Sequence, residues 1–346
     1  FFMTNQIEYN VWNKWDPLEV AMVGSCENEN FFANVKNIEI REKLTQLLIE
    51  TKEDLDHFAS VLEQHDVTVH RPQIDPTRRM FPNIKLSPCV THQPRDYCMT
   101  LGNNLLVKDS DAARRYRLLF PHMDIAGQQQ EAWKDLLKTT RIIIDPPSWT
   151  LVGSDLYVDI AKTPHSMKKQ RKKIQEWADQ HLPNTRVHAL KVGGHTDGCF
   201  HTCKPGVIIS LIDIQTYSET FPNWDVLYLP DQSWDAMHPF VQAKKHTQGK
   251  YWIPGEENNQ PLLNFINLWL DEWVGFAEES VFDINMFMIN DHTACVNNYN
   301  KPVFDYFKRH KIDPIIVPMR HRWFWDGGLH CCSLDLVRKG QQDTYV

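Results

Sequence analysis

The sequence predicts an α/β fold. Short apolar strands recur along its 346 residues, amphipathic helices separate several of them, and the order helix, polar turn, strand appears three times. Alternating strands and helices are typical of α/β proteins. The recurrence also suggests a degenerate internal repeat, although its spacing is irregular.

Each predicted element has a pattern of its own. Leu44, Leu47, Leu48, Leu55 and Phe58 form one helical stripe, and the residues after this helix alternate like a strand that stops at proline. The predicted pairs are helix 41–65 with strand 66–72, helix 165–181 with strand 186–190, and helix 302–310 with strand 315–317. Further apolar strands are predicted at 20–23, 105–107, 156–158, 207–209 and 286–289.

Composition predicts one globular domain. Hydrophobic residues make up 42% and charged residues 23%, and no Gly/Ser tract divides the chain, so a single domain over 1–346 is expected. Residues 1–10 are expected to form a disordered or vector-derived start. The net charge of −7 argues against nucleic acid or an acidic membrane as partner.

The expected compartment is the cytoplasm. No apolar run approaches the roughly 18 residues needed to span a bilayer, and the first residues do not resemble a signal peptide. Eight cysteines in a chain of this length are therefore interpreted as reduced thiols.

Residues 193–206 and 325–335 are dense in reactive side chains. His195, Cys199, His201 and Cys203 have the residue types of a zinc site. If this segment runs extended into strand 207–209, alternate side chains lie about 6–7 Å apart on one face, too far for a single ion. Buried thiols are the more ordinary interpretation of these cysteines.

A nucleophilic site is the other interpretation. Two glycines precede His330-Cys331 and would let substrate approach the sulfur. His195 is the natural acid/base, and Asp197, two residues later on an extended segment, would share its face.

These two segments resemble the arginine amidinotransferases of the pentein (guanidino-group-modifying) superfamily. The family pattern His-x-Asp-x-x-Phe-x-x-x-x-Pro-Gly is matched by His195, Asp197, Phe200, Pro205 and Gly206. The pattern Gly-Gly-x-His-Cys-x-Thr/Ser-x-Asp is matched by Gly327, Gly328, His330, Cys331, Ser333 and Asp335. Pro94-Arg95-Asp96, Asp145 and the opening from Val11 to Glu19 match further motifs, so the resemblance runs from residue 11 to about 338.

The resemblance implies a five-bladed α/β propeller of ββαβ units with pseudo-five-fold symmetry. It also implies transfer of the amidino group of arginine to an amine, with release of ornithine. By similarity, Cys331 is the nucleophile, His195 the acid/base and Asp145 its orienting carboxylate. The implied substrate-binding residues are Asp96, Asp197, Asp283, Asn285 and Ser333. The implied partners are small molecules, no metal or organic cofactor is expected, and a homodimer is left open.

The positions at which this sequence departs from the family pattern bear on which amine it accepts. The glycine-using members carry an arginine shortly after the Pro-Gly strand, whereas this chain has Leu211-Ile212-Asp213-Ile214. Asp283 replaces a family serine, which suggests a site for an ammonium group, and Gly193 and Gly194 suggest room for a bulkier amine. Glycine and other primary amines stay open as acceptors. The alternatives are a guanidino-group hydrolase of the arginine deiminase type and a non-catalytic binding protein.

Overall fold

A computed structural model describes most of the chain. The described residues are 7–80, 89–121, 123, 132, 134–136, 138, 145–160, 164–190, 195–211, 217–229, 253, 255–256, 258–269, 283–325 and 327–346. Gly193, Gly194 and Ile214 therefore lie outside them, as do residues 1–6 of the predicted disordered start. Tyr9 is buried, and the Asn10 amide donates to the Leu336 carbonyl oxygen at 3.1 Å.

Fourteen strands form five small sheets in the described part of the chain. The strands are β1 (Leu18–Val23), β2 (Thr68–His70), β3 (Cys98–Leu101), β4 (Asn104–Val107), β5 (Trp149–Val152), β6 (Asp155–Asp159), β7 (Arg186–Leu190), β8 (Phe200–Lys204), β9 (Val207–Leu211), β10 (Asp225–Leu229), β11 (Phe287–Asn290), β12 (Thr293–Val296), β13 (Asp313–Ile316) and β14 (Ser333–Arg338). The sheet orders are β14-β1-β2, β3-β4, β5-β6-β7, β10-β9-β8 and β11-β12-β13.

The described helices lie between these strands. They are α1 (Ile38–Glu63), α2 (Cys89–His92), α3 (Ser110–Leu119), α4 (Pro164–His181), α5 (Thr196–Cys199), α6 (Gln260–Trp269), α7 (Lys301–His310) and α8 (Arg322–Trp325). Short 3-10 turns cover Pro94–Asp96 and Pro146–Ser148. None of the helices in these ranges is long and apolar enough to cross a membrane.

One local order recurs in the sheets: an antiparallel hairpin, then a helix, then a strand parallel to the second hairpin strand. β5 pairs antiparallel with β6, α4 follows, and β7 pairs parallel with β6. The same order holds for β11, β12, α7 and β13. Two parallel strands need a crossover connection between them. Helices α4 and α7 form these connections, in the helix–turn–strand order that the sequence predicts.

The α/β class and the predicted elements are confirmed, with shifted ends. Helix α1 begins at Ile38, where the Asn37 side chain caps it by accepting from the Ile40 amide, and ends at Glu63. Six strands were not predicted: β3, β5, β8, β10, β12 and β14. Of these, β3, β5 and β12 are buried at every position, so their sequences lack the alternation that identifies a half-exposed strand.

The ends of the chain meet in one sheet. β14 pairs antiparallel with β1, while β2 pairs parallel on the other side of β1. The Arg338 guanidinium is buried there: Nε donates to Asp335 at 2.8 Å, Nη1 to the Asp16 carbonyl at 2.6 Å and Nη2 to the Met288 carbonyl at 2.8 Å. This pairing places Cys331, two residues before β14, next to elements from the middle of the chain.

Candidate active site

Cys331 lies in a tight turn between α8 and β14. The Cys332 amide donates to the Gly328 carbonyl oxygen at 3.0 Å. A Cβ atom on Gly328 would lie 2.9 Å from Asn285 Oδ1, and one on Gly327 would lie 2.1 Å from the Gln93 amide nitrogen. The predicted glycine pair is thus required because neighbouring side chains approach the backbone closely.

Asn285 holds both the turn and the sulfur. Its Oδ1 accepts from the backbone amides of His330 at 3.0 Å and Cys331 at 3.2 Å. Its Nδ2 lies 3.0 Å from Cys331 Sγ and donates to it. A hydrogen bond to sulfur stabilises the thiolate, which is the nucleophilic form of cysteine.

Asp197 lies beside the same sulfur. Its Oδ2 is 2.7 Å from His330 Nδ1 and 3.8 Å from Cys331 Sγ. Its Oδ1 is buried and has no hydrogen-bond partner among the described residues. Burial raises the pKa of Asp197, and the positive charges of His195, Lys14 and Arg95 oppose that rise.

His195 and Asp145 form an ion pair at the more open side of the site. The Nε2 to Oδ2 distance is 3.2 Å, and the two side chains are 24% and 39% exposed. Ser148 Oγ also donates to Asp145 at 2.6 Å, and Lys108 Nζ lies 3.7 Å away. Burial alone would raise the pKa of Asp145, but His195, Ser148 and Lys108 hold it well below its usual range. Asp145 is therefore ionised at neutral pH and can orient the imidazole.

Asp96 supplies a second carboxylate, on a residue that is half-buried. Its Oδ1 has no hydrogen-bond partner among the described residues. Burial raises the pKa of Asp96 to about 7; the positive charge of His195 opposes the rise, and the negative charge of Asp197 adds to it. Asp96, Asp197 and His195 therefore belong to one electrostatic cluster.

Arg95 joins the Asp96 turn to the Cys331 turn. Its Nε donates to the carbonyl oxygens of His330 at 2.9 Å and Ser333 at 3.0 Å, and its Nη2 donates to Asp335 Oδ1 at 2.7 Å. Because Arg95 is buried, these bonds fix the position of its neighbour Asp96 relative to Cys331.

The cluster combines a thiol, an imidazole–carboxylate pair and two carboxylates that each have an oxygen without a hydrogen-bond partner in the described chain. Carboxylates of this kind suit a planar cation with N–H donors. The thiol and imidazole suit covalent catalysis with proton transfer. Over the ranges that the structure describes, no group of three or more His, Cys, Asp or Glu side chains could hold a metal ion.

Comparisons with known proteins find amidinotransferases. No family model matches the chain. It is 21% identical, over 387 aligned positions, to the mitochondrial glycine amidinotransferase of Xenopus tropicalis, with 96% of this chain and 84% of the relative covered. It is 19% identical to the L-arginine:L-lysine amidinotransferase of Pseudomonas savastanoi pv. phaseolicola, with 85% and 80% covered.

A solved structure has the same fold. It is SxtG, an amidinotransferase in the saxitoxin biosynthetic pathway of Microseira wollei, with a TM-score of 0.62 and 16% identity over 98% of this chain and all of that one. The chain is similar to amidinotransferases. The fold that it shares with them is the α/β pentein fold.

Five of the eight residues assigned by resemblance to the amidinotransferases meet in the described cluster: Cys331, His195, Asp145, Asp96 and Asp197. Asn285 joins them through Cys331. Its contact with the thiol and the turn amides was not predicted, because its partners lie 45 and 46 residues further along the chain.

Asp283 and Ser333 are engaged elsewhere. Asp283 accepts hydrogen bonds from the side-chain amides of Asn298 at 2.8 Å and Asn300 at 3.0 Å, one on each oxygen. Ser333 is buried, and its hydroxyl donates to the Leu329 carbonyl at 2.7 Å. Both geometries favour structural roles, and the predicted substrate contacts of these two residues stay predictions.

The segment that holds His195 and Asp197 is not extended, so the prediction that the two side chains share one face of an extended segment is wrong. Thr196–Cys199 forms the single helical turn α5, with His195 at its N-cap, and strand β8 begins only at Phe200. Hydrogen bonds from Thr196 Oγ1 to the Pro147 carbonyl and between the Thr196 and Thr150 hydroxyls, both 2.8 Å, join this turn to the segment that carries Asp145.

Proposed function

We propose that the protein is an amidinotransferase that moves the amidino group of L-arginine to an acceptor amine through a covalent amidino-Cys331 intermediate. The observation that carries the proposal is the position of Cys331 Sγ, 3.0 Å from Asn285 Nδ2 and 3.8 Å from the buried Asp197 carboxylate. A thiol held between an amide donor and a cation-binding carboxylate is suited to a guanidino group.

Asp96 and Asp197 bind the guanidinium in this proposal. A guanidinium is charged at any physiological pH and is a poor electrophile, so the site must hold it and orient its carbon towards sulfur. The oxygens of Asp96 and Asp197 that lack a partner among the described residues would accept its N–H groups. The bound cation in turn favours the Cys331 thiolate.

The first half-reaction forms the intermediate. The thiolate attacks the guanidino carbon, and the bond from that carbon to the δ-nitrogen of arginine breaks. His195 gives a proton to the departing nitrogen, so ornithine leaves and the amidino group remains on sulfur. Asp145 orients the imidazole and stabilises its charged form.

The second half-reaction reverses these roles. An acceptor amine attacks the amidino carbon, His195 removes a proton from the amine, and the carbon–sulfur bond breaks to regenerate the thiolate. Kinetics are therefore ping-pong. No step calls for a metal or an organic cofactor.

We also propose that the five sheets are the blades of one α/β propeller over the single domain 1–346. Two observations support it: the repeated hairpin–helix–parallel strand order, and the pairing of β14 with β1, which completes one blade from the two ends of the chain. The compartment and the homodimer stay predictions.

The acceptor is glycine or another primary amine. Assays of Asp283→Ser over a panel of amines test whether Asp283 selects an ammonium group. Because Asn298 and Asn300 already engage both of its oxygens, we expect the variant to lose stability with its acceptor preference unchanged. A changed preference would return Asp283 to the acceptor site.

Intact-protein mass spectrometry tests the proposal. The protein is mixed with arginine without an acceptor and quenched in acid. We expect a mass increase of one amidino group, lost in Cys331→Ala and retained in Cys332→Ala, which removes the adjacent buried thiol. Absence of the adduct, with arginine unconsumed in the presence of amines, would refute the proposal.

Product analysis separates the transferase from the hydrolase. Both reach the same covalent intermediate, but water replaces the amine in a hydrolase. Ornithine with a new guanidino compound supports transfer. Citrulline from arginine, whether or not amines are present, would assign the hydrolase instead.

A further inference from the structure

Lys14 is a buried lysine behind the Cys331 turn. Its side chain is 8% exposed, and Nζ has no hydrogen-bond partner among the described residues. The flanking residues are fixed: Asn13 Nδ2 donates to Asp16 at 3.0 Å, and the Trp15 ring packs edge-on against Tyr345 at 5.2 Å. Because Asn13 and Trp15 are fixed, the backbone at Lys14 is fixed as well, and its buried side chain stays inside the protein.

Lys14 lines a partly open polar cavity of about 30 Å³. Its wall includes Lys14, Arg95, Thr150, His330 and Asp335. A polar cavity of this volume has room for about one or two water molecules. His330 Nε2 is buried without a partner in the described chain, while its Nδ1 lies 2.7 Å from Asp197 Oδ2. One imidazole thus separates the cavity from the carboxylate beside Cys331.

Asp197 is the carboxylate on which this ammonium acts most strongly. Burial lowers the pKa of Lys14 to about 8, and among the surrounding charges Asp197 opposes that shift most. The other nearby carboxylate, Asp335, is already paired with Arg95 at 2.7 Å and Arg338 at 2.8 Å. Asp197 has no comparable arginine pair in the described residues.

The groups around Asp197 explain why the positive charge of Lys14 matters. They are His195, Lys14, Arg95, Asp145, Asp96, His330 and Cys331. Burial and the two other carboxylates favour a neutral Asp197, whereas His195, Lys14 and Arg95 favour the ionised form. Arg95 is committed to Asp335, and the charge of His195 changes during the proposed reaction.

We propose that Lys14 is a positioning residue that acts through Asp197: its ammonium, held in the cavity behind the Cys331 turn, keeps Asp197 ionised so that this carboxylate can hold a cationic guanidino group. The inference rests on the proposed function for the identity of that cation. Lys14 is not among the residues to which the family resemblance assigns a role.

Arginine binding measured by calorimetry tests the proposal. Cys331→Ala protein, which cannot turn over, is compared with the double variant that also carries Lys14→Met. At about pH 6 we expect about tenfold weaker binding in the double variant, because Asp197 must first lose a proton. At about pH 9 the higher pH itself favours the ionised form of Asp197, and Lys14, with a pKa of about 8, is mostly neutral, so the difference should close or reverse.

Thr100→Val is the matched control in the same background. Thr100 lies on the same cavity wall and donates to the Asp335 carbonyl at 2.8 Å, so the change removes a hydrogen bond and leaves the charge unaltered. It should change arginine affinity equally at both pH values. The same pH-independent loss in Lys14→Met would mean that Lys14 only supports the fold, and unchanged binding would also overturn the proposal.

A second measurement is independent of the substrate. Titration of the ¹³C carboxyl resonances, with Asp197 assigned by its loss in Asp197→Asn, should show the pKa of Asp197 higher in Lys14→Met than in the wild type. An unmoved titration would overturn the inference. If arginine does not bind at any pH, the proposed donor fails, while this titration still decides the role of Lys14.

Discussion

Asp96 and Asp197 carry their carboxylates into a buried site, and burial raises the pKa of both. The ionised forms are less stable there than in water, and a bound cation would offset that cost. The sequence indicated both residues through the family motifs. It could not indicate their protonation, which depends on surrounding charges that come from distant parts of the chain.

Substitution of Asp96 by Asn tests its role at the residue scale. Because the pKa of Asp96 is about 7, a cationic donor should bind the wild type more tightly as pH rises through 7. In Asp96→Asn we expect the KM for arginine to be about tenfold higher at about pH 8 and to lose this pH dependence. Steady-state kinetics between about pH 6 and 8.5 measure both effects.

The same variant has a stability signature. The folded protein keeps a proton on Asp96 that the unfolded chain loses near its ordinary pKa, so this group lowers stability as pH rises from about 4 to 7. We expect Asp96→Asn to gain thermal stability over the wild type at pH 8 but not at pH 4. An equal shift at both values would show that Asp96 does not titrate in this window.

Substitution of Asn285 by Asp tests the hydrogen bond between its side chain and the Cys331 sulfur. Asn285→Asp keeps an acceptor for the two turn amides but places a negative oxygen near sulfur where Nδ2 now donates at 3.0 Å. The pKa of Cys331 should rise, and its alkylation by iodoacetamide near pH 7 should slow about tenfold. Peptide mass spectrometry of the labelled cysteine measures the rate.

Asn285→Ala is the comparison for that experiment. It removes the acceptor as well, so two buried amides lose their partner and the free energy of unfolding should fall by about 1–3 kcal/mol. If Asn285→Asp alkylates at the wild-type rate, the amide contact does not control the thiol.

At the scale of elements, hairpin turns position the strands around the site. Gly153 connects β5 to β6 and Gly206 connects β8 to β9, with φ of 57° and 80°. β5 follows the turn that carries Asp145, and β8 follows the turn that carries Asp197. The sequence predicted the second strand of each hairpin, β6 and β9, but not the first. Strand β5 is fully buried and so lacks alternation, and β8 follows a helical turn where an extended segment was expected.

The two glycines form a matched pair for a prediction. Gly206→Ala should lower the free energy of unfolding by about 1–2 kcal/mol, the cost of placing alanine in the left-handed region. It adds no steric clash, because no atom lies within 4 Å of the new Cβ. In Gly153→Ala the Cβ would also lie 2.1 Å from the Asp343 carbonyl oxygen, which accepts from the Ser154 amide. We expect its loss of unfolding free energy to exceed that of Gly206→Ala by about 2 kcal/mol in urea denaturation. Equal losses would mean that the segment around Asp343 yields freely.

At the scale of the whole molecule, β14 pairs with β1, and the turn that carries Cys331 contacts residues from both halves of the chain, Arg95 and Asn285. Asp335 lies between Arg95 and Arg338, and Arg338 reaches carbonyl oxygens next to β1 and in β11. Burial alone would raise the pKa of Asp335, but the two guanidinium groups hold it well below its usual range. These ionic contacts join three parts of the fold behind the active site.

Arg338→Leu tests that junction. It leaves Asp335 buried with one arginine, and we expect a loss of about 3–5 kcal/mol in the free energy of unfolding at neutral pH. A depressed carboxyl pKa stabilises the folded state above the unfolded pKa, and this contribution is lost as pH falls towards the folded pKa. The difference between variant and wild type should therefore narrow below about pH 4, as measured by denaturation at several pH values. A difference that stays constant down to pH 3 would contradict the role of Asp335.

The sequence by itself determined the α/β class, the main helices and the residue types of the site, because apolar periodicity and short motifs are local properties. Through a family resemblance, it also predicted that Cys331, His195 and Asp145 act together as nucleophile, acid/base and orienting carboxylate. Only the tertiary structure decided that Asn285 holds the Cys331 turn, that Arg95 ties Asp96 to it, and that Lys14 is buried on the cavity wall that His330 shares. Those contacts join residues that lie far apart along the chain, and burial, which sets the charge of the carboxylates, exists only after the sheets have packed together.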